Sequence, residues 1–93
     1  MISAPVHFRL YVAGTAPHSQ RAAANLRAFC AAHLGDRHEI EVIDLFGDPL
    51  RALTDKVLLT PTLVVDNSGT IRRIVGDLSE TSMLLDFVEG GAT

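Results

Sequence analysis

A single cysteine, Cys30, means that no disulfide closes within this chain of 93 residues and that two-thiol redox chemistry is closed to it. No apolar run approaches the ~20 residues that a membrane span requires. The start, Met1-Ile2-Ser3-Ala4-Pro5, lacks the basic residues and long apolar stretch of a secretory signal, so the cytoplasm is the expected compartment. A net charge of −3 gives no general attraction to nucleic acid or to an anionic membrane. Repeats, low-complexity tracts, a Gly-rich phosphate loop and a Gly-x-Ser-x-Gly elbow are all missing. With 47% apolar and 20% charged residues, the composition is that of one globular domain spanning residues 1–93.

Periodicity then divides the chain. Val6 to Ala13 alternates, with Phe8, Leu10 and Val12 on one face and Arg9 and Tyr11 on the other, which predicts a strand. Gly14 stops it, Thr15 is a candidate cap and Pro17 suits a first helical turn. Ala22, Leu26, Phe29, Cys30, His33 and Leu34 recur at the spacing of one helical face, and Gly35 ends the run. Glu39 to Leu45 alternates as a half-exposed edge strand. A short helix is expected after Gly47, with Asp48 as cap and Pro49 first. Thr62–Val65 and Thr70–Val75 flank Asp66-Asn67-Ser68-Gly69, a reverse-turn composition, and read as a hairpin. Ser79 is the expected cap of a last helix with Met83, Leu84, Phe87 and Val88 on its apolar face. The order βαβαββα predicts an α/β fold whose parallel first pair and antiparallel hairpin share one four-stranded mixed sheet.

Thr60-Pro61-Thr62 precedes an apolar, β-branched strand, where proline is tolerated and a cis peptide is affordable. The pattern resembles thioredoxin-like domains, in which a cis-proline opens the third core strand and faces the start of the first helix. In redox members that turn carries Cys-x-x-Cys, because the helix N-terminus makes a reactive thiolate. Here it reads Gly14-Thr15-Ala16-Pro17-His18-Ser19, with Thr15 and His18 at the two cysteine positions, and dithiol exchange is excluded. Cys30, about four turns along the helix, reads as a small core hydrophobe. Cys30, His33 and His38 lack the second pair of ligands that structural zinc takes, so neither a metal nor another cofactor is expected.

Arg72 and Arg73 fall on opposite faces of their strand, and one of them is expected to need a carboxylate, Asp44 or Asp77. Lys56, the only lysine, lies in a loop between the short helix and the proline strand. Taken together, Leu10-Tyr11-Val12-Ala13-Gly14, Val42-Ile43-Asp44, Asp55-Lys56-Val57-Leu58-Leu59-Thr60-Pro61-Thr62-Leu63 and Arg72-Arg73-Ile74-Val75-Gly76-Asp77-Leu78-Ser79 resemble the circadian clock protein family KaiB over roughly residues 6 to 88.

That resemblance implies a non-enzymatic adaptor that binds a KaiC-type ATPase, with a KaiA-like protein or a histidine kinase as further partners. It also implies a family with two folds, a thioredoxin-like form and a ground state, often tetrameric, in which the C-terminal half is rearranged. The Asp-Asn-Ser-Gly turn and the helical pattern after Ser79 favour the thioredoxin-like form here and leave the oligomeric state open. By the same resemblance the docking surface comprises Lys56, Val57 and Asp55 before the cis-proline strand and Arg21 on the first helix, with Pro61 as the structural cis-proline. Glu39 and Glu41 stand where relatives often carry lysine, so contacts to KaiA or a kinase on that edge are not carried over. Two alternatives stand beside the adaptor: a sensor-type domain of a KaiC-binding histidine kinase, and a thioredoxin-related enzyme using Cys30.

Overall fold

A computed structural model describes residues 5–89, with the order β1 (Val6–Val12), α1 (Pro17–His33), β2 (His38–Asp44), α2 (Pro49–Thr54), β3 (Thr62–Asn67), β4 (Thr70–Val75) and α3 (Thr81–Glu89). The four strands form one mixed sheet in the order β2-β1-β3-β4. β1 runs parallel to β2 and antiparallel to β3, and β3 pairs antiparallel with β4. The acidic strand β2 is an edge, as its half-exposed alternation predicted.

The period-2 pattern gives the sheet two unlike faces. Phe8, Leu10 and Val12 of β1, Leu63 and Val65 of β3 and Ile74 of β4 point to one side, where Ala22, Leu26, Phe29, Cys30 and Leu34 of the α1 region and Leu84 of α3 close over them. Tyr11, Ile43 and Val64 point to the other, against Ala52 of α2 and Val57. Two helices thus cover one face, and one short helix with the chain after it covers part of the other.

Several ends depart from the expected chemistry. Ala16, not Thr15, is the N-cap of α1 and makes no side-chain cap bond. The buried Ser19 hydroxyl instead accepts from the Ala13 N–H at 3.2 Å, which ties the first turn of the helix back to the end of β1. Asp48 precedes Pro49 of α2 as expected, but its side chain makes no cap bond either. The β3–β4 turn is the predicted one: Ser68 and Gly69 both have positive φ, and Gly69 N–H donates to Asp66 Oδ1 at 3.0 Å. Ser79 does not cap α3; its N–H donates to Asp77 Oδ1 at 3.1 Å and the helix begins at Thr81. Leu85, not the exposed Met83, joins Leu84, Phe87 and Val88 against the core.

Candidate partner-docking site

The turn into α1, Gly14-Thr15-Ala16-Pro17-His18-Ser19, carries no cysteine. Cys30 is fully buried in the larger core, and burial pushes its thiol up to about 11, so the thiolate is scarce at neutral pH. His33, expected on the buried face, is exposed and leans its ring on Phe29 with centroids 4.7 Å apart. Among the described residues no group of three His, Cys, Asp or Glu side chains is placed to hold a metal ion. The Thr60–Pro61 bond is cis, and the Pro61 carbonyl accepts from Gly76 N–H at 3.0 Å, joining the end of the connection into β3 to the start of the one out of β4.

The chain just before that proline is built by the end of α2. Val57 N–H donates to the Ala52 carbonyl at 2.8 Å and Lys56 N–H to the Leu53 carbonyl at 3.1 Å, the paired bonds of a Schellman ending. The residue after the C-cap in that motif takes left-handed backbone, and Lys56 does so with φ 60. Glycine is usual there because a β-carbon is crowded in this conformation. The motif also sends the following residue inward, against the helix's last turns. Val57 is accordingly only 7% exposed, packed with Ala52, Tyr11 and Val64, and is not the apolar surface contact expected of it.

Asp55 is likewise turned inward. Arg9 Nε donates to Asp55 Oδ2 at 2.8 Å and Arg9 Nη2 to Oδ1 at 3.2 Å, while the Tyr11 hydroxyl makes a short hydrogen bond to Oδ2. Burial alone would raise the Asp55 carboxyl, but the bonds from Arg9 and Tyr11 outweigh it and hold the group below the usual carboxylate range. Burial, reinforced by the Asp55 bond, pushes the Tyr11 hydroxyl up to about 12. Asp55 is therefore a satisfied internal anion, and its place on the expected contact surface is corrected. Beside it Arg51 pairs with Glu41 of β2, holding that carboxyl below its ordinary value.

The side chains presented instead are Lys56, Leu58 and Leu59, with Leu50 and Leu53 of α2 exposed as well. Leu58 is 90% and Leu50 73% exposed, so four leucines of this short stretch reach solvent. A lysine flanked by aliphatics fits a partner that offers a carboxylate within an apolar patch. Arg21 lies on α1, over the other sheet face, and is already engaged with Asp77 at 3.4 Å and with His18 Nδ1 at 2.7 Å. The Arg72-Arg73 expectation fails in an informative way. Among the described residues neither makes a carboxylate pair: Arg72 lies over the Phe87 ring at 5.2 Å from its centroid, and Arg73 Nε donates to the Asp55 carbonyl at 2.8 Å. Both reach solvent because β4 is an edge strand, so neither guanidinium has to be buried.

A sheet in the order β2-β1-β3-β4 with a cis-proline opening β3 defines a thioredoxin-like domain, one whose turn into α1 carries no thiol pair. Among solved structures its fold matches the N-terminal domain of Synechococcus elongatus SasA (TM-score 0.79, 23% identity, covering 95% of this chain and 87% of that one). It also matches mitochondrial thioredoxin 3 of Saccharomyces cerevisiae (TM-score 0.75, 16% identity, 94% and 79% covered). In sequence, a family model described as the KaiB domain matches residues 9–89. The circadian clock protein KaiB3 of a Synechocystis species is 40% identical over 77 residues, covering 83% of this chain and 76% of that protein. A circadian clock oscillator protein KaiB of Prochlorococcus marinus is 40% identical over 77 residues, covering 83% of this chain and 66% of that protein. The chain belongs to the KaiB family.

Proposed function

We propose that the chain is a non-catalytic adaptor of the cytoplasm that docks on a KaiC-type ATPase through the end of α2 and the segment before Pro61. The observation that carries this reading is the exposed lysine held beside exposed leucines, Lys56 with Leu58, Leu59, Leu50 and Leu53. Lys56 supplies the charge for an acidic group on the partner and the leucines the apolar area. Arg21 adds a second, peripheral charge after exchanging Asp77 for a partner carboxylate. Buried Cys30, with its raised thiol, supports an adaptor over a thiol enzyme. A detached kinase sensor domain is the second reading, favoured by the likeness to the SasA N-terminal domain, which concerns the fold alone.

Titration of the chain against a purified KaiC-type ATPase tests the adaptor. Saturable binding is expected, and Lys56→Glu is expected to weaken it by roughly 2 kcal/mol or more, since reversal leaves the partner's charge unpaired. Absence of binding by the wild-type chain, or equal binding by the folded variant, would overturn the assignment.

A further inference from the structure

The surface that presents Lys56 is held from beneath by a polar clamp, and we propose that Arg9, Tyr11 and Asp55 are positioning residues that fix the turn after α2 and so aim Lys56 at its partner. The proposal rests on the docking reading above and assigns Asp55 no partner contact. Lys56 is tied on both sides. Before it, the Asp55 carboxylate is gripped by Arg9 and Tyr11 of β1 and the Asp55 carbonyl by Arg73 of β4 at 2.8 Å. After it, Val57 is locked into the apolar cluster under α2. Between these anchors Lys56 occupies a left-handed position that glycine fills more cheaply, and such a conformation persists only where its surroundings over-determine it.

The chemistry of the clamp favours aiming over mere adhesion. The Tyr11 hydroxyl has one proton and two acceptors in reach, Asp55 Oδ2 and the Arg51 carbonyl at 3.2 Å, and the charged acceptor takes it. Arg9 meets both Asp55 oxygens, a two-point grip that fixes orientation as well as distance. Well-packed apolar residues would hold a loop to this sheet as firmly, whereas a hydrogen-bonded ion pair admits only one register.

Two measurements test the clamp. In the free chain, Tyr11→Phe, which removes only the hydroxyl, is expected to speed hydrogen exchange at the Lys56 and Val57 amides by about tenfold, equivalent to ~1.4 kcal/mol, and leave the β1–β2 amides unchanged. In titrations against a KaiC-type ATPase the same variant is expected to weaken binding by about tenfold in the wild-type background but by less than about twofold in a Lys56→Ala background, because its effect passes through Lys56. Asp55→Asn, which keeps the shape, should repeat the pattern if Tyr11→Phe unfolds the chain. Unchanged exchange at residues 56 and 57, or an equal loss of affinity in both backgrounds, would overturn the proposal. Should the wild type bind no such ATPase, the docking reading falls, and the exchange measurement alone decides the clamp.

Discussion

The two faces of the sheet do different work with the same strands. On one side Phe8, Leu10, Leu63 and Val65 meet the apolar faces of α1 and α3. On the other, Arg9, Tyr11 and Asp55 form a satisfied polar cluster next to the smaller apolar group around Val64 and Val57. Apolar contact is non-directional and rewards area, so the first face holds the fold together without dictating any single side-chain pose. Hydrogen-bonded ions reward one geometry, so the second face sets the pose of the chain that crosses it. The exposed leucines and Lys56 lie on the side that has the clamp.

The largest expected effect therefore falls on the dry face. Leu26→Ala removes a fully buried side chain from between α1 and the sheet and should cost about 2–5 kcal/mol in urea unfolding, a large share of the ~5–15 kcal/mol available to a domain of this kind. Should this variant lose less than Asp55→Ala, the division between the faces would fail.

Asp55→Ala comes next, at about 1–3 kcal/mol, because it takes the carboxylate from Arg9 and leaves the Tyr11 hydroxyl only the Arg51 carbonyl at 3.2 Å. Its sign with pH follows from the groups themselves. The Asp55 carboxyl titrates lower in the folded chain than in the unfolded one, so its contribution is present above about pH 4 and is lost as the pH falls through the folded value. Tyr11 titrates higher when folded, so stability that is complete below about pH 10 fades toward about 12. Urea midpoints across pH should show both limbs in the wild type, the acid limb weakened in Asp55→Ala and the alkaline limb in Tyr11→Phe.

Lys56→Gly separates pose from stability. Glycine relieves the left-handed backbone but adds freedom to the unfolded chain, so stability should rise by no more than about 1 kcal/mol. Binding to a KaiC-type ATPase should nonetheless drop, since the charge is gone. A marked fall in stability would show that the Lys56 side chain braces the loop.

Much of the fold was legible in the sequence, and the exceptions share a cause. Alternation in Val6–Val12 and the Asp-Asn-Ser-Gly turn act locally, and both appear as read. The family was readable too, from four motif segments. What the sequence hid was the ending of α2, because Lys56 stands where glycine would have signalled a Schellman turn, and that turn decides that Val57 faces in while Leu58 faces out. Asp55 was hidden for a different reason. Its partners lie 46 and 44 residues away on β1, and no local pattern announces a pair of that separation. Arg9 stands opposite Val64 on β3 but opposite Glu41 on β2, so its nearest carboxylate in the strand register was Glu41, and nothing local pointed past it to Asp55.

The smallest effect sets the two faces against each other within a single dipeptide. Arg72 projects to the helical side and lies over the Phe87 ring of α3, while Arg73 projects to the clamp side and donates to the Asp55 carbonyl. A cation over an aromatic ring at an exposed site is worth about 0.5–1 kcal/mol. Arg72→Ala should therefore lower stability by no more than that, with faster exchange confined to α3 and affinity for a KaiC-type ATPase unaltered. Arg73→Ala should do the converse, leaving α3 as it was and loosening the Lys56 and Val57 amides through the lost bond to Asp55. Equal exchange patterns from the two variants would mean that the faces are coupled through β4 and that the dry core, rather than the clamp, governs the pose of Lys56.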